Sequence, residues 1–207
     1  AFTVTSTAVG GATSAGNPSS DVSANVSVGD TKEIGKFRFS ETTGRNDLAV
    51  KGIVFFLEGN ARDKDFTDFE VLGQDNAVLG KTQYAGNRYV TVMFTSPYIV
   101  PQSQNRTVTL RAKVSDGSGN YLRVKIQNDF DVMVADNALG YQILPTSFSS
   151  TGAADGYFKV REGSLSISKS QASRSGNVSA GATDIELASF DVTAVGEDIE
   201  IQKIGIG

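Results

Sequence analysis

The sequence predicts an all-β protein built as a tandem repeat of antiparallel β-sandwiches, the second of them incomplete. Three observations lead to this. Apolar and polar residues alternate wherever the chain is apolar, polar turn residues separate the alternating runs, and one turn sequence recurs late in the chain. Alternation gives each strand one buried face, and two sheets bury such faces against each other. No window has the period of an amphipathic helix.

A turn sequence that occurs twice indicates the repeat. Asn25–Thr31 reads Asn-Val-Ser-x-Gly-x-Thr and returns as Asn177–Thr183. Upstream, Phe2–Val4 matches Leu165–Ile167 in its alternation. Further apolar positions correspond in order: Ile34 with Leu187, Phe37 with Phe190, Phe39 with Val192, Leu48 with Ile199, Val50 with Ile201, Ile53 with Ile204 and Phe55 with Ile206. A spacing of this size indicates repeated domains rather than a solenoid.

The repeat also predicts the domain boundaries. Residues 1–160 form a complete sandwich with a loop insertion at about 9–20, and residues 161–207 form the first half of an equivalent one. The second copy has no counterpart of residues 57–160. Half a sandwich cannot bury its own apolar face, so we expect more of the same polypeptide or another molecule to cover it.

Within the complete copy, the alternation predicts individual strands. The long run Leu48–Leu57 predicts a strand with a kink at Gly52. Other runs predict strands at 2–5, 34–39, 69–72, 77–79, 89–94, 107–114, 121–126, 131–134 and 157–160. In the second copy we expect strands at Leu165–Ile167, Leu187–Val192 and Ile199–Ile206. The expected core is Ile34, Phe37, Phe39, Leu48, Val50, Ile53, Phe55, Val92, Phe94, Val108, Leu110, Val124 and Ile126.

Composition argues against several classes of function. The chain has no His and no Cys, which excludes Ser-His and Cys-His catalytic dyads, thiolate metal sites and disulfides. A net charge of −4 without a basic stripe argues against nucleic acid as a partner. No apolar stretch is long enough to span a membrane or to be a retained signal peptide. Nothing marks a pair of carboxylates for glycoside hydrolysis, and Trp is absent, so we expect no enzyme.

Two segments carry a family resemblance. The first comprises Ser96–Pro101, Thr107–Val114 and Gly117–Ile126, and the second is Val178–Ile204. Together they resemble the tandem immunoglobulin-like repeats of large bacterial cell-surface proteins of the surface-layer, filament or adhesin type. The resemblance implies an immunoglobulin-like sandwich, secretion to the cell surface and a role in arrays. The chain departs from the family pattern at Pro101–Gln104, where the usual Ala-Gly turn is missing.

We therefore expect an extracellular structural protein, a subunit or segment of a surface layer or filament. It would assemble through strand-mediated contacts with other copies or with neighbouring repeats, including strand addition by residues 2–4 of another copy. The residues expected to carry this assembly are Phe2, Val4, Leu165, Ile167, Ile199, Ile201, Ile204 and Ile206. The alternative is an adhesin segment that binds glycan or protein ligands, with Tyr84, Tyr89, Tyr98 and Tyr121 as candidate aromatic contacts.

An acidic turn is a candidate calcium site. Asp63, Asp65 and Asp68 place three carboxylates close together in the chain, and hard cations prefer such oxygen ligands. Because Lys64 lies among them, the competing interpretation is that these are turn residues that satisfy backbone groups. The segment 116–120 and the group Asp129, Asp131 and Asp136 offer weaker versions of the same chemistry. We expect no other cofactor.

Overall fold

The structure is a computed structural model that describes residues 1–6, 24–149, 157–161, 163–173, 176–195 and 199–205. The chain divides into two compact units, Ala1–Arg161 (unit 1) and Glu162–Gly207 (unit 2). The expected loop insertion at 9–20 and the assembly residue Ile206 lie outside the described residues. Among those described, no helix has both the length and the apolar character needed to cross a membrane.

Unit 1 consists of two β-sheets. Sheet 1 contains β1 (Phe2–Ser6), β3 (Thr31–Glu41), β5 (Phe66–Leu72), β6 (Val78–Thr82), β8 (Asn105–Val114) and β12 (Ser147–Ser149). Sheet 2 contains β2 (Ala24–Val26), β4 (Leu48–Gly59), β7 (Tyr89–Val100), β9 (Tyr121–Lys125), β10 (Val132–Asp136), β11 (Gln142–Ile143) and β13 (Phe158–Val160). A single 3₁₀ turn at Asp129–Asp131 precedes β10 in this part of the chain.

Strand order follows from the pairing. Sheet 1 runs β12-β1-β3-β8-β5-β6, and sheet 2 runs β11-β10-β4-β9-β13-β2 with β7 also paired to β4. Most pairs are antiparallel, as expected, but β1 pairs with β12 and β2 pairs with β13 in parallel. The sequence gives no local signal for these two pairs because their partners are separated by most of unit 1.

The core lies between the two sheets. Every expected core residue is buried except Phe94, which is partly buried and packs against the others. The rings of Phe37 on sheet 1 and Phe55 on sheet 2 lie 5.5 Å apart and join the layers. This confirms an all-β fold with mainly antiparallel sheets and a buried face on each.

Glycines allow two close approaches to β7, one from β4 in sheet 2 and one from β6 in sheet 1. The predicted kink in β4 is confirmed, because the pairing of β4 with β7 shifts register between Val50 and Gly52. A side chain at Gly52 would place its Cβ 2.9 Å from the Met93 sulfur and 3.0 Å from the Val92 carbonyl. At Gly80 on β6, a Cβ would lie 2.3 Å from the Met93 carbonyl on β7. The edge of sheet 1 therefore approaches β7 so closely that only glycine fits.

Unit 2 contains one antiparallel ladder, formed by β14 (Ser164–Lys169) and β15 (Phe190–Val195). Its opposed pairs include Leu165 with Ala194, Ile167 with Val192 and Lys169 with Phe190. The equivalent pairs of β1 and β3 are Phe2 with Glu41, Val4 with Phe39 and Ser6 with Phe37. Residues that the sequence comparison matched therefore occupy matching positions in the two ladders.

Two strand predictions for unit 2 need correction. The strand expected at Leu187–Val192 instead covers Phe190–Val195. The strand expected at Ile199–Ile206 is absent from the described residues 199–205. Its counterpart in unit 1, β4, is stabilised by pairing with β7, β9 and β10. The described part of unit 2 holds no equivalents of these three neighbours, and an extended segment without hydrogen-bonding partners is not a strand.

Candidate docking surfaces

One face of the β14–β15 ladder is apolar and exposed. Directly opposed residues of an antiparallel pair share a face, and successive residues alternate between faces. The apolar face consists of Leu165, Ile167, Phe190, Val192 and Ala194, with Lys169 at its end opposite Phe190. The opposite face carries the polar residues Ser164, Ser166, Ser168, Asp191 and Thr193, and the exposed Val195 lies opposite Ser164. The ladder thus has the alternation of a strand pair with one buried side.

The equivalent face in unit 1 is buried. Phe2, Val4, Phe37 and Phe39 are at most 1% exposed, whereas Leu165, Ile167, Phe190 and Val192 are 41–54% exposed. The difference lies in what covers the face. In unit 1, sheet 2 packs against it, as the Phe37–Phe55 contact illustrates. The described part of unit 2 contains no second sheet.

The outer edge of β15 also presents main-chain groups. Ser170 donates its backbone N–H to the Ser189 carbonyl at 2.8 Å, so alternate residues from Ser189 onward direct their backbone groups toward β14. Phe190, Val192 and Ala194 therefore direct theirs toward the opposite edge. Within the described chain, β15 pairs only with β14, whereas β3 pairs with β8 along the equivalent edge.

The remaining expected assembly residues fall in different environments. Phe2 and Val4 are fully buried, and β1 is paired on both sides, with β3 and β12. Donating this strand to another copy would remove it from its own core, so its placement does not support that part of the hypothesis. In unit 2, Ile199 is half-buried, while Ile201 and Ile204 are exposed.

A second candidate surface, here called the outer face, is the side of sheet 2 that points away from the core. At its centre, Phe56 on β4 is opposed by Tyr89 on β7 and Lys125 on β9. The Phe56 and Tyr89 ring centroids are 5.2 Å apart. The Lys125 Nζ lies 5.5 Å and the Arg88 Cζ 5.7 Å from the Phe56 centroid, both within cation–π range.

Arg88 reaches this position from an unusual backbone conformation. Asn87 and Arg88 have φ values of 51° and 70° and form the two-residue turn of a hairpin closed by Gly86 and Tyr89. Four hydrogen bonds hold Arg88, and in one of them its carbonyl accepts the Leu57 N–H at 2.8 Å. Its backbone N–H donates to Asp63 Oδ1 at 2.9 Å, and its guanidinium donates to the carbonyls of Leu57 and Gly59. Sequence analysis missed this role because Arg is uncommon at positive φ.

Toward the other end of β9 the outer face becomes ionic. Glu58 accepts hydrogen bonds from Lys125, at 3.0 Å, and from Arg123. Burial tends to raise the pKa of Glu58, but the hydrogen bonds from Lys125 and Arg123 outweigh it and lower the pKa. The Arg123 guanidinium lies 4.7 Å from the ring centroid of Tyr157, which Tyr121 meets edge-on at 5.4 Å.

At the opposite end of the outer face is a groove of about 500 Å³ whose lining side chains are mainly apolar. Its lining residues are Lys51, Met93, Phe130, Met133, Val134, Ala135, Gly140 and Gln142. Met93 and Phe130 are more than half exposed. The sulfur atoms of both methionines of the chain lie close to the Cβ position of Gly52, at 2.9 Å for Met93 and 3.4 Å for Met133. Methionine adapts its shape readily and is common on binding surfaces.

The four candidate tyrosines do not form one patch. Tyr89 and Tyr121 belong to the outer face, and Tyr84 is exposed in the loop before β7. Tyr98 is partly buried, and its hydroxyl accepts a hydrogen bond from the Gln74 N–H at 2.9 Å. Because cations lie over the rings of Phe56 and Tyr157, these outer-face rings are already engaged in cation–π contacts.

The predicted calcium ligands have separate partners. Asp65 is buried, and its Oδ2 accepts hydrogen bonds at 2.8 Å from the Arg62 N–H and from Asn120 Nδ2, while its Oδ1 is paired with the Arg62 guanidinium. Asp63 accepts the Arg88 N–H, and Asp68, with a φ of 52°, lies within β5 where the pairing with β8 shifts register. No three acidic side chains in the described residues are grouped to hold a metal. The calcium site stays a prediction without support from this geometry.

The other acidic candidates form ion pairs or accept hydrogen bonds from nearby turn residues. Asp116 pairs with Lys64 and Arg62, and hydrogen bonding from Lys64 is the largest cause that lowers its pKa. Asp131 accepts the Asn128 N–H at 2.8 Å. The carboxylate of Asp136 accepts from Asn46 and from two backbone N–H groups of the following turn, those of residues 138 and 139.

Sequence analysis missed one buried carboxylate altogether. Glu41 is 5% exposed and accepts the N–H groups of Thr43, Gly44 and Ser103 and the Thr43 hydroxyl. Burial tends to raise the pKa of Glu41, but these hydrogen bonds outweigh it and lower the pKa to about 2. Ser103 has a φ of 57° and lies in the turn where the sequence departs from the family pattern. Glu41 therefore fixes that turn.

Comparison with known proteins gives no relative from which a function can be read. No protein-family model matches the chain, and no curated protein sequence matches it significantly. Among solved structures, AvmM, which catalyses macrocyclization in alchivemycin A biosynthesis, has a TM-score of 0.35 at 10% identity over 88% of both chains. A family 123 glycoside hydrolase from Clostridium perfringens has a TM-score of 0.31 at 8% identity, over 78% of this chain and 28% of that one. At these TM-scores neither similarity bears on function.

Proposed function

We propose that this chain is an extracellular structural protein, a subunit or segment of a surface layer or filament, and that unit 2 makes its assembly contact. The observation that carries the proposal is the exposed apolar face of the β14–β15 ladder beside an edge of main-chain groups. Such a face and edge favour association by sheet packing and strand addition. The cell-surface location rests on the family resemblance.

We also infer that units 1 and 2 are repeats of one immunoglobulin-like sandwich. The support is the agreement between sequence and pairing. Phe37 and Phe39 match Phe190 and Val192 in sequence, and each pair lies opposite the matching residues of the preceding strand. Because the two ladders share one register, we infer that an apolar layer like sheet 2 covers the ladder of unit 2 as well. The assembly contact is therefore expected to be mainly apolar.

A role in binding and support, rather than in catalysis, fits the acidic groups of unit 1. A glycosidase general acid needs a raised pKa. Glu70 lies in a second cleft of about 470 Å³, but hydrogen bonds from Lys81 and Arg111 lower its pKa. Within the described residues, every carboxyl group with a resolved shift has a lowered pKa.

Sedimentation velocity of the full chain over a range of concentrations tests the proposal. Wild-type protein should associate, and Ile167→Asp should weaken association because it places a charge in the apolar face. Ser166→Asp is the matched control, since it adds the same charge to the polar face of the same strand. Association that survives Ile167→Asp unchanged, or a wild-type chain that stays monomeric throughout, would contradict the proposal.

The alternative of an adhesin segment is supported by the groove at Met93 and Phe130, which suits an apolar protein ligand. Glycan binding has less support, because sugars stack on open aromatic faces and cations already lie over Phe56 and Tyr157. Screening the monomeric Ile167→Asp variant against immobilised glycans separates this role from assembly. Specific retention there would favour the adhesin.

A further inference from the structure

We propose that the partner of the unit 2 apolar face is the outer face of sheet 2 on a second copy of this chain, centred on the groove between Met93, Phe130 and Met133. The inference rests on the proposed function and adds the receiving surface. The contact is heterologous, because two different surfaces meet. Repeated from copy to copy without closing, such a contact produces a filament.

The first argument is that exposed apolar side chains of unit 1 concentrate around this groove. Its lining includes Met93 and Phe130, both more than half exposed. Leu139, Tyr141 and Leu144 are also more than half exposed and flank the lining residues Gly140 and Gln142. An exposed apolar patch on a folded domain marks an interaction surface. The unit 2 face offers apolar side chains of matching chemistry.

The second argument is charge. Residues 1–161 contain sixteen acidic and sixteen basic residues, so the whole net charge of −4 lies in residues 162–207, with seven acidic and three basic. The charged side chains on the outer face and around the groove are Lys51, Glu58, Arg88, Arg123, Lys125, Lys159 and Asp129, which precedes the lining residue Phe130. Five are basic and two acidic. An acidic unit 2 therefore meets a surface of opposite net charge, which favours this encounter.

The same charges disfavour the main competing arrangement. Two copies of unit 2 pairing with each other would bring together two segments of net charge −4, and like charges across an interface oppose association. Sheet 1 of a second copy is a poorer receiver than sheet 2. The cleft of sheet 1 is lined by the charged side chains of Asp68, Glu70 and Lys81, whereas Lys51 is the single charged residue in the lining of the Met93 groove.

The test uses two full-length variants and their mixture in sedimentation velocity. Ile167→Asp removes the docking face, and Met93→Asp removes the receiving groove. Each variant alone should lose association by at least about tenfold relative to wild type. Mixed in equal amounts, they should form a 1:1 complex, because each variant retains the surface that the other lacks. Thermal unfolding of each variant should show that unit 1 remains folded.

Thr31→Asp is the control for Met93→Asp, since it adds the same charge at an exposed end of β3 in sheet 1, opposite Lys113. It should associate as wild type does. If Met93→Asp associates normally while Ile167→Asp does not, the receiving surface is wrong and the proposed function stands. Loss in both variants without a 1:1 complex on mixing overturns the heterologous contact. Normal association of Ile167→Asp overturns the proposed function itself.

Discussion

At the scale of single residues, two buried carboxylates organise the loops of unit 1. Glu41 gathers the donors of two turns, and Asp65 joins the turn after β4 to the turn before β9 through Arg62 and Asn120. Leaving a buried backbone N–H without an acceptor costs about 1–3 kcal/mol. By accepting hydrogen bonds from such groups, each carboxylate avoids this cost.

Replacing Glu41 tests this with a defined pH dependence. The pKa of Glu41 lies at about 2, below its ordinary value of 4.5. Its contribution is therefore complete above about pH 5 and is lost as the pH falls toward 2, and it amounts to roughly 3 kcal/mol. Glu41→Gln should destabilise unit 1 by about 2–3 kcal/mol at pH 7, with the gap to wild type closing toward pH 2. Denaturant unfolding across pH measures it, with the exposed Glu33→Gln as control; a gap independent of pH would contradict the assignment.

Asp65 can be probed through a glycine. Gly117 and Gly29 have similar φ values of 91° and 94°, but a Cβ at Gly117 would lie 2.5 Å from the Asp65 carboxylate, whereas a Cβ at Gly29 meets nothing within 4 Å. Both alanine variants carry the backbone strain of positive φ. Gly117→Ala should cost a further 1–3 kcal/mol or so from the collision. Equal unfolding free energies for the two variants would show that Asp65 is not held in place.

At the scale of elements, two strand pairs with matching register lie in different environments. Phe37 on β3 and Phe190 on β15 occupy matching register positions, yet Phe37 is 1% exposed and Phe190 is 50% exposed. The β1–β3 pair belongs to a sheet that sheet 2 covers. Within the described residues, no second sheet covers the β14–β15 pair.

Truncating the two phenylalanines should therefore have different consequences. Phe37→Ala should destabilise unit 1 by about 3–5 kcal/mol, because it removes a buried ring against Phe55. Phe190→Ala should leave the unfolding free energy of unit 1 unchanged and weaken association instead. Denaturant unfolding and sedimentation of both variants distinguish these outcomes. A stability loss from Phe190→Ala in dilute protein would mean that its ring is already buried in the monomer.

Alternation in the sequence was enough to locate most strands and the core, because one buried face per strand imposes a period of two. It predicted the Gly52 kink and the core position of Phe37. It could not predict the parallel pairs of β1 and β2, which depend on distant partners, or the loss of the strand at 199–205, which depends on missing neighbours. The roles of Arg88 and Glu41 could not be predicted, because their hydrogen-bond partners lie in turns that only the fold brings together.

At the scale of the whole molecule, the chain is asymmetric. Unit 1 is electrically neutral and has a complete core, whereas unit 2 carries the net charge and an uncovered apolar face. Within the described residues no second sheet covers the apolar face of unit 2, and the proposed assembly contact rests on this feature. The sequence alternation predicted the apolar strands of unit 2. The outer face of sheet 2 was recognised only from the structure.

Hydrogen exchange at the backbone amides of Phe190, Val192 and Ala194 tests the central claim most directly, since these groups lie at the outer edge of β15, beside the apolar face that the proposed contact covers. Exchange should be fast in dilute protein and should slow as the concentration rises into the associating range, while the amides of β3 stay protected at both concentrations. In Ile167→Asp the β15 amides should stay fast throughout. Fast exchange of the wild-type β15 amides in fully associated protein would contradict the account, because assembly would then leave this face and edge uncovered.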